Sequence, residues 1–310
     1  MIQSLAKRTR KFAVERAKVI SAVLHHPLNR GSKVRALRDY LLWNAVRFSM
    51  DASHVVRLPE GLEIIVSRAE KFGTAAYVNF VGDFDEMMFF AHLLRAGDRF
   101  ADVGSNVGLY SLWVARVTGA QGVALEPVPL TFETLRKNIR LNDLENLVEP
   151  IRTAAGEKPG SVLMTSNIGG MNHILSEAGE HTVETPVSRL DDLFSGREPF
   201  AMKMDVEGFE LSALRGGERL MSDGNLKAIV IELQDGTLNR YGVSVKDVRD
   251  FIEGHGFVAH TYDPFTRALA PLAKQTALNM IYVRKADEEL VRQRLLAGRK
   301  IRLPNYPDGV

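Results

Sequence analysis

Phe100-Ala101-Asp102-Val103-Gly104-Ser105-Asn106-Val107-Gly108-Leu109-Tyr110-Ser111 is the stretch on which the fold turns. A short apolar run of strand length enters a turn with two glycines, and Leu112, Val114 and Ala115 follow at helical spacing. This predicts a strand, tight turn and helix of a doubly wound α/β sheet. Ligands bind such sheets where strand carboxyl ends meet a crevice and a helix amino terminus offers unpaired N–H groups.

The turn also limits the ligand. A dinucleotide fingerprint reads G-x-G-x-x-G, and the second glycine lets the backbone approach a pyrophosphate. Here those positions are Gly104, Asn106 and Leu109, so only the first agrees. Asp102, at the strand end, would repel a pyrophosphate. The next strand, Gly122-Val123-Ala124-Leu125, ends in Glu126-Pro127. This lies about twenty residues beyond Gly104, where an acidic residue meets a ribose diol. Two carboxylate oxygens accept both ribose hydroxyls, which a phosphorylated ribose would not allow. Asp102, the two glycines and Glu126 together point to S-adenosylmethionine, which carries a sulfonium, an ammonium and an unphosphorylated ribose.

Four blocks of sequence now fall in one order. They are Asp102-Val-Gly-Ser-Asn-Val-Gly-Leu-Tyr-Ser111, Glu126-Pro127, Ser188-Arg-Leu-Asp-Asp-Leu193 and Lys203-Met-Asp-Val-Glu-Gly-Phe-Glu-Leu-Ser-Ala-Leu-Arg-Gly216. Over residues 60–285 or so the chain resembles the FkbM-type methyltransferases. The resemblance implies a class I, Rossmann-like methyltransferase sheet of seven strands with the last pair antiparallel. It also implies S-adenosylmethionine-dependent methylation of a hydroxyl on a sugar or other secondary metabolite. An acidic residue at the position of Glu86 lies near the cofactor in that family, and the adenine lies at the turn Thr153-Ala154-Ala155-Gly156. Small residues there leave room for a flat ring. Gly104, Ser105, Asn106, Gly108, Tyr110 and Ser111 then belong to the cofactor loop, with Asp102, Glu126, Pro127 and Asp205 beside them.

Charge divides the chain unevenly. The 310 residues carry a net charge of +2, but residues 1–50 hold eleven Lys and Arg against Glu15 and Asp39, or +9, leaving −7 for residues 51–310. Ala13, Ala17, Ile20 and Leu24 share one helical face, Pro27 breaks the pattern, and Leu37, Leu41, Ala45 and Phe48 mark a second helix. The expected organisation is a basic helical extension at 1–50, a catalytic domain at 51–286 and a charged tail at 287–310. The extension either packs on the core or a second subunit, or rests on anionic lipid or an acidic substrate. Glu15, Arg16 and Lys18 interrupt any secretory apolar core, and no run of about 18 apolar residues exists for a spanning helix. A cytoplasmic location is expected. The absence of cysteine excludes disulfides, thiolate metal sites and cysteine nucleophiles.

Candidate chemistry collects around the strand Phe200 to Met204, which delivers Asp205 and Glu207 just past its end, with Gly208 making the exit. Leu226 to Leu233 is a further apolar strand and brings Glu232. Charge is costly to bury, so these carboxylates need partners. A sugar hydroxyl is a very weak acid, so transfer needs a base as the bond forms or a divalent metal that lowers the hydroxyl pKa. Asp205, Glu207, Glu232 and His173 are the candidate bases. His173 belongs to the polar loop Asn167 to His173 between two short strands, where it is either a base or simple loop surface. Asp205, Glu207 and Glu232 are also oxygen ligands that would suit magnesium, although D-x-E is common on surfaces.

Other functions fit less well. Two missing glycines count against a nicotinamide dehydrogenase. The strand before Asp205-Val-Glu-Gly lacks the Asn/Asp-Pro-Pro-aromatic tetrapeptide of base methylation, and its acidic residues would repel phosphates, so nucleic acid is not the expected partner. A non-catalytic cofactor-binding protein, and a methyltransferase acting on a lipid, peptide or nucleic acid, remain alternatives. The expected partner is a small hydroxylated acceptor, with homo-oligomerisation left open.

Overall fold

A computed structural model describes residues 17–49, 53–66, 78, 83–166, 172–175, 177, 179–273, 275, 277–303, 306 and 308–310. Ala13 and most of the loop 167–173 lie outside the described residues.

Eight strands form the main sheet, in the order β13-β12-β14-β11-β10-β3-β4-β5. These are β3 (Arg99–Val103), β4 (Gln121–Leu125), β5 (Val148–Ile151), β10 (Ala201–Met204), β11 (Ala228–Glu232), β12 (Phe257–Asp263), β13 (Ala268–Pro271) and β14 (Asn279–Arg284). The five from β5 to β11 run parallel, while β14 pairs antiparallel with both β11 and β12. All seven expected strands are present. The eighth, β13, folds back on β12 as an added edge, His260 to Asp263 opposite Ala268 to Pro271. Four residues ending in proline give little strand signal, so the hairpin partner supplies the pairing.

The strand side chains alternate between two cores, as period-two geometry requires for a sheet covered on both faces. Phe100, Ala124, Ala201, Ala228 and Val230 join one core with the helices α2 (Phe84–Leu93), α3 (Leu109–Thr118) and α4 (Pro129–Leu141). Ala101, Val103, Met202, Met204, Ile229 and Ile231 join the other, with α5 (Glu210–Arg215) and α6 (Val245–Gly254). A smaller sheet, in the order β6-β9-β7-β8, stands beside the carboxyl ends of the main strands. It comprises β6 (Ala154–Ala155), β7 (Gly160–Thr165), β8 (Ile174–Leu175) and β9 (Thr182–Ser188).

Both terminal regions pack on this body. A helix over 17–25, a turn at Pro27–Asn29 and α1 (Lys33–Ser49) lead to the hairpin β1 (His54–Arg57) and β2 (Glu63–Val66). Asn138 and Asn142 of α4 hold that hairpin by accepting from the backbone N–H groups of Ile65 and Glu63, each at 2.8 Å. At the other end, Val291 and Leu295 of α7 (Glu288–Leu296) are buried with Ile301, Leu303 and Val310 in the first core. The charged appearance of this segment hides apolar residues that cover α2. The Tyr306 hydroxyl donates to the Pro27 carbonyl at 3.1 Å, which ties the two ends together.

Candidate active site

The loop after β3 hangs from its neighbours by backbone bonds. The N–H groups of Gly104 and Ser105 both donate to the Leu125 carbonyl, at 3.0 and 2.9 Å, and Asp205 N–H donates to Val103 at 2.9 Å. Gly104 has φ +81°, and a Cβ there would lie 1.8 Å from the Asp205 carbonyl oxygen. Only glycine permits the exits of β3 and β10 to approach this closely.

A crevice of about 1040 Å³, open to solvent, lies over these ends. Of the expected cofactor residues, Gly104, Ser105, Asn106, Tyr110, Glu126 and Pro127 line it. Thr153, Ala154 and Ala155 form another wall, and Asp205 and Glu207 a third. Glu126 is held by the two loops that meet at it: its oxygens accept from Asn106 N–H at 3.0 Å and from Val128 N–H at 2.8 Å. The Asn106 side-chain oxygen is buried and has no hydrogen-bond partner among the described residues.

Other expected residues lie elsewhere. Asp102 is 1% exposed, and the Ser111 hydroxyl donates to it at 2.6 Å. The pair lies beneath the turn, off the crevice wall, and the other Asp102 oxygen is buried with no hydrogen-bond partner among the described residues. Burial raises the Asp102 pKa, opposed by Lys203 and the Ser111 hydroxyl. Gly108 caps α3 with φ +96° and also stays off the wall. Glu86 sits half-buried in the first turn of α2, outside the lining, with its carboxyl pushed up to about 7 by burial and then by Asp83. His173 is outside the lining as well. Its backbone N–H donates to the Thr165 hydroxyl at 3.0 Å, which turns the chain into β8.

Lys203 was not among the sequence candidates, yet it organises the site. In register it is the direct neighbour of Asp102, and Asp205 follows two residues later on the same strand face. Its buried ammonium donates to the Gly104 carbonyl and to Asp205, both at 3.3 Å, and lies 5.2 Å from the centre of the Tyr110 ring. Burial alone would lower the Lys203 pKa, but Asp205 and Asp102 outweigh it and raise the pKa above its ordinary value. Burial likewise pushes Asp205 up, while Lys203 and a hydrogen bond from Glu232 overcome that effect and hold its carboxyl below the ordinary range. Glu232, half-buried at the end of β11 and off the crevice wall, is pushed up to about 8 by burial and by the Asp205 carboxylate. The surroundings thus push the two carboxyls in opposite directions, favouring the ionised form of Asp205 and the protonated form of Glu232. Asp205 keeps 35% of its side-chain surface open. A lysine within an apolar strand, two residues before an aspartate, was the available sequence signal.

Glu210 is another residue whose role needs the structure. One of its oxygens accepts from Val206 N–H at 3.2 Å and Gly208 N–H at 3.1 Å. That bond pattern fixes the tight exit in which Glu207 has φ +55° and Gly208 φ +105°. Met164, Asn172, Ile174 and Phe209 complete the crevice from the small sheet and the α5 side. Among the described residues, no group of three or more His, Asp or Glu is arranged to hold a metal ion, so Asp205, Glu207 and Glu232 do not form the magnesium site considered from the sequence.

The FkbM methyltransferase domain, as a protein family, matches residues 102–259, just over half of the chain. The chain belongs to that family. The matched region of this FkbM-family chain runs from Asp102 past Asp205 and Glu232 to the middle of β12. Similar relatives include methyltransferase sdnD of Sordaria araneosa, 30% identical over 36% of this chain and 44% of its own length. Hexuronic acid methyltransferase AglP of Haloferax volcanii is 29% identical over 54% of this chain and 66% of its own length. The 31-O-demethyl-FK506 methyltransferase FkbM of Streptomyces tacrolimicus is 27% identical, over 69% of this chain and 93% of its own. Similarity to the first two thus spans less than two thirds of their length.

Proposed function

We propose that this chain is an S-adenosylmethionine-dependent O-methyltransferase acting on a hydroxyl of a small acceptor, a sugar or sugar-bearing metabolite. The observation that carries the reading is one crevice with Glu126 on one wall and an ionised, partly open Asp205 on another. The residues present fit that cofactor. Glu126 can accept from two ribose hydroxyls, and Ala154 and Ala155 leave a flat wall suited to a purine. The unpartnered Asn106 oxygen calls for a donor, and Lys203, already engaged by Gly104 and Asp205, leaves the crevice acidic. When bound, S-adenosylmethionine supplies a methyl group carried on a cationic sulfur.

In this reading the chain itself positions the acceptor and removes a proton. Holding the acceptor oxygen in line with the methyl carbon can supply ~7–11 kcal/mol of the barrier. Asp205 accepts the hydroxyl proton as the new bond forms, an effect worth ~10²–10⁴-fold. Lys203 keeps Asp205 ionised until then, and Glu232 directs its other side. Glu207 offers a second carboxylate to acceptor hydroxyls. The naming of AglP as a hexuronic acid methyltransferase supports a sugar as the class to test first.

Calorimetry with S-adenosylmethionine and, separately, with NAD⁺ tests the cofactor. Transfer of a labelled methyl group to hexuronic acids and glycosides tests the acceptor. Saturable binding of S-adenosylmethionine alone, with transfer to a hydroxyl, is expected. Binding of NAD⁺ alone, or of neither, would overturn the assignment.

A further inference from the structure

We propose that the outward face of α1 docks this protein on an anionic membrane surface, lying in the interface as an amphipathic helix. The helix presents two apolar faces. The inner one is buried: Trp43 joins the main core, while Ala36 and Tyr40 pack with Val23 and Ile20 of the preceding helix and with Val78. The outer one is open to solvent: Val34 is 86% exposed, Leu41 59% and Leu42 49%, with Leu37 beside them. Leucine and valine at this spacing form a stripe that folding leaves unburied, and such a patch marks an interaction surface.

Cations share this segment with the stripe. Lys18, Arg30, Lys33 and Arg38 are exposed, Arg38 paired with Asp39 at 2.7 Å, and residues 17–49 carry six Lys and Arg against Asp39 alone, or +5. Apolar side chains flanked by lysine and arginine are the composition of helices that insert their apolar side at the headgroup boundary while their cations meet anionic lipid. No described helix is long and apolar enough to cross a membrane, so the contact is peripheral.

Charge and apolarity together choose among occupants. A second copy seated on this face would bring one segment of charge +5, residues 17–49, against another. Nucleic acid would meet the cations through its phosphates but would leave the exposed leucines without a role. A lipid interface satisfies both features.

Co-sedimentation of the full chain with vesicles tests the proposal and does not depend on the transferase reading. Binding to vesicles of phosphatidylcholine mixed with phosphatidylglycerol is expected, weakening as salt is raised, with little binding to phosphatidylcholine alone. Lys33→Ala should weaken binding roughly fivefold, the equivalent of ~1 kcal/mol per cation at the surface. Leu41→Glu should weaken it by about tenfold or more, since one leucine no longer leaves water. Val34→Glu is the second variant. Both positions are exposed, so an unchanged thermal midpoint separates loss of docking from loss of folding. Failure to bind the mixed vesicles, or binding indifferent to both glutamates, would overturn the proposal. So would a dimer abolished by Leu41→Glu without vesicle binding, or retention of DNA or RNA as the only interaction.

Discussion

Asp102 and Asp205 occupy neighbouring strand ends, and the same ammonium influences both, yet they serve different purposes. Asp102 is still inside β3, so its side chain enters the sheet face beneath the turn and meets Ser111. Asp205 is one residue beyond β10, where the chain leaves the sheet and opens to the crevice. One residue of strand length separates a carboxylate beneath the loop from one that lines the crevice. Lys203 stands between them and its ammonium opposes the charge of both carboxyls.

The sharpest way to break this contrast is Asp205→Asn. Methyl transfer should fall by ~10²–10⁴-fold in turnover while S-adenosylmethionine affinity, followed by calorimetry, changes far less. Retained turnover would remove Asp205 from the base role. Next, Lys203→Met should leave the buried Asp102 and the partly open Asp205 without their cation and cost about 3 kcal/mol of stability, the low end for a broken buried pair, read from denaturant unfolding. A thermal midpoint like that of the parent protein would show that the carboxylates do not depend on the ammonium.

Glu126→Ala should weaken S-adenosylmethionine by about 10–100-fold, the worth of hydrogen bonds to a charged group, and unchanged heats of binding would dismiss the ribose role. Glu232 gives a pH test. Its folded pKa of about 8 lies above the ordinary 4.5, so the folded protein binds more protons than the unfolded chain between those values. Stability from this group is full at low pH and is lost as pH rises toward 8. Glu232→Gln should flatten that decline in a series of thermal midpoints, and a decline of the same slope would place the titration elsewhere. The smallest effect belongs to Asp102→Asn. It keeps a partner for Ser111, so cofactor affinity should shift by only about twofold to threefold, within the range of a neutral hydrogen bond. A loss larger than that in Asp205→Asn would reverse the contrast.

Much of this was readable from the residues. The strand-turn-helix at Asp102 to Ser111, the carboxylate at Glu126 and the small-residue turn at Thr153 are local features, and all three came together at one crevice. Period-two and helical patterns placed the seven main strands because burial on both sheet faces leaves long apolar runs. The edge strand β13 was less legible, since its pairing depends on β12 and not on its own residues. The same holds for Val291, Leu295 and Ile301, whose burial follows from what α2 leaves uncovered.

The sequence by itself determined the fold class, the family and the acidic character of the crevice, because strand periodicity, glycine positions and residue chemistry are properties of short segments. Tertiary structure decided which carboxylates face the crevice, that Lys203 links the loop after β3 to Asp205, and that burial and neighbours push Asp205 and Glu232 in opposite directions. Strand register and burial fix those outcomes, since a group's charge depends on which neighbours and how little water the fold brings to it.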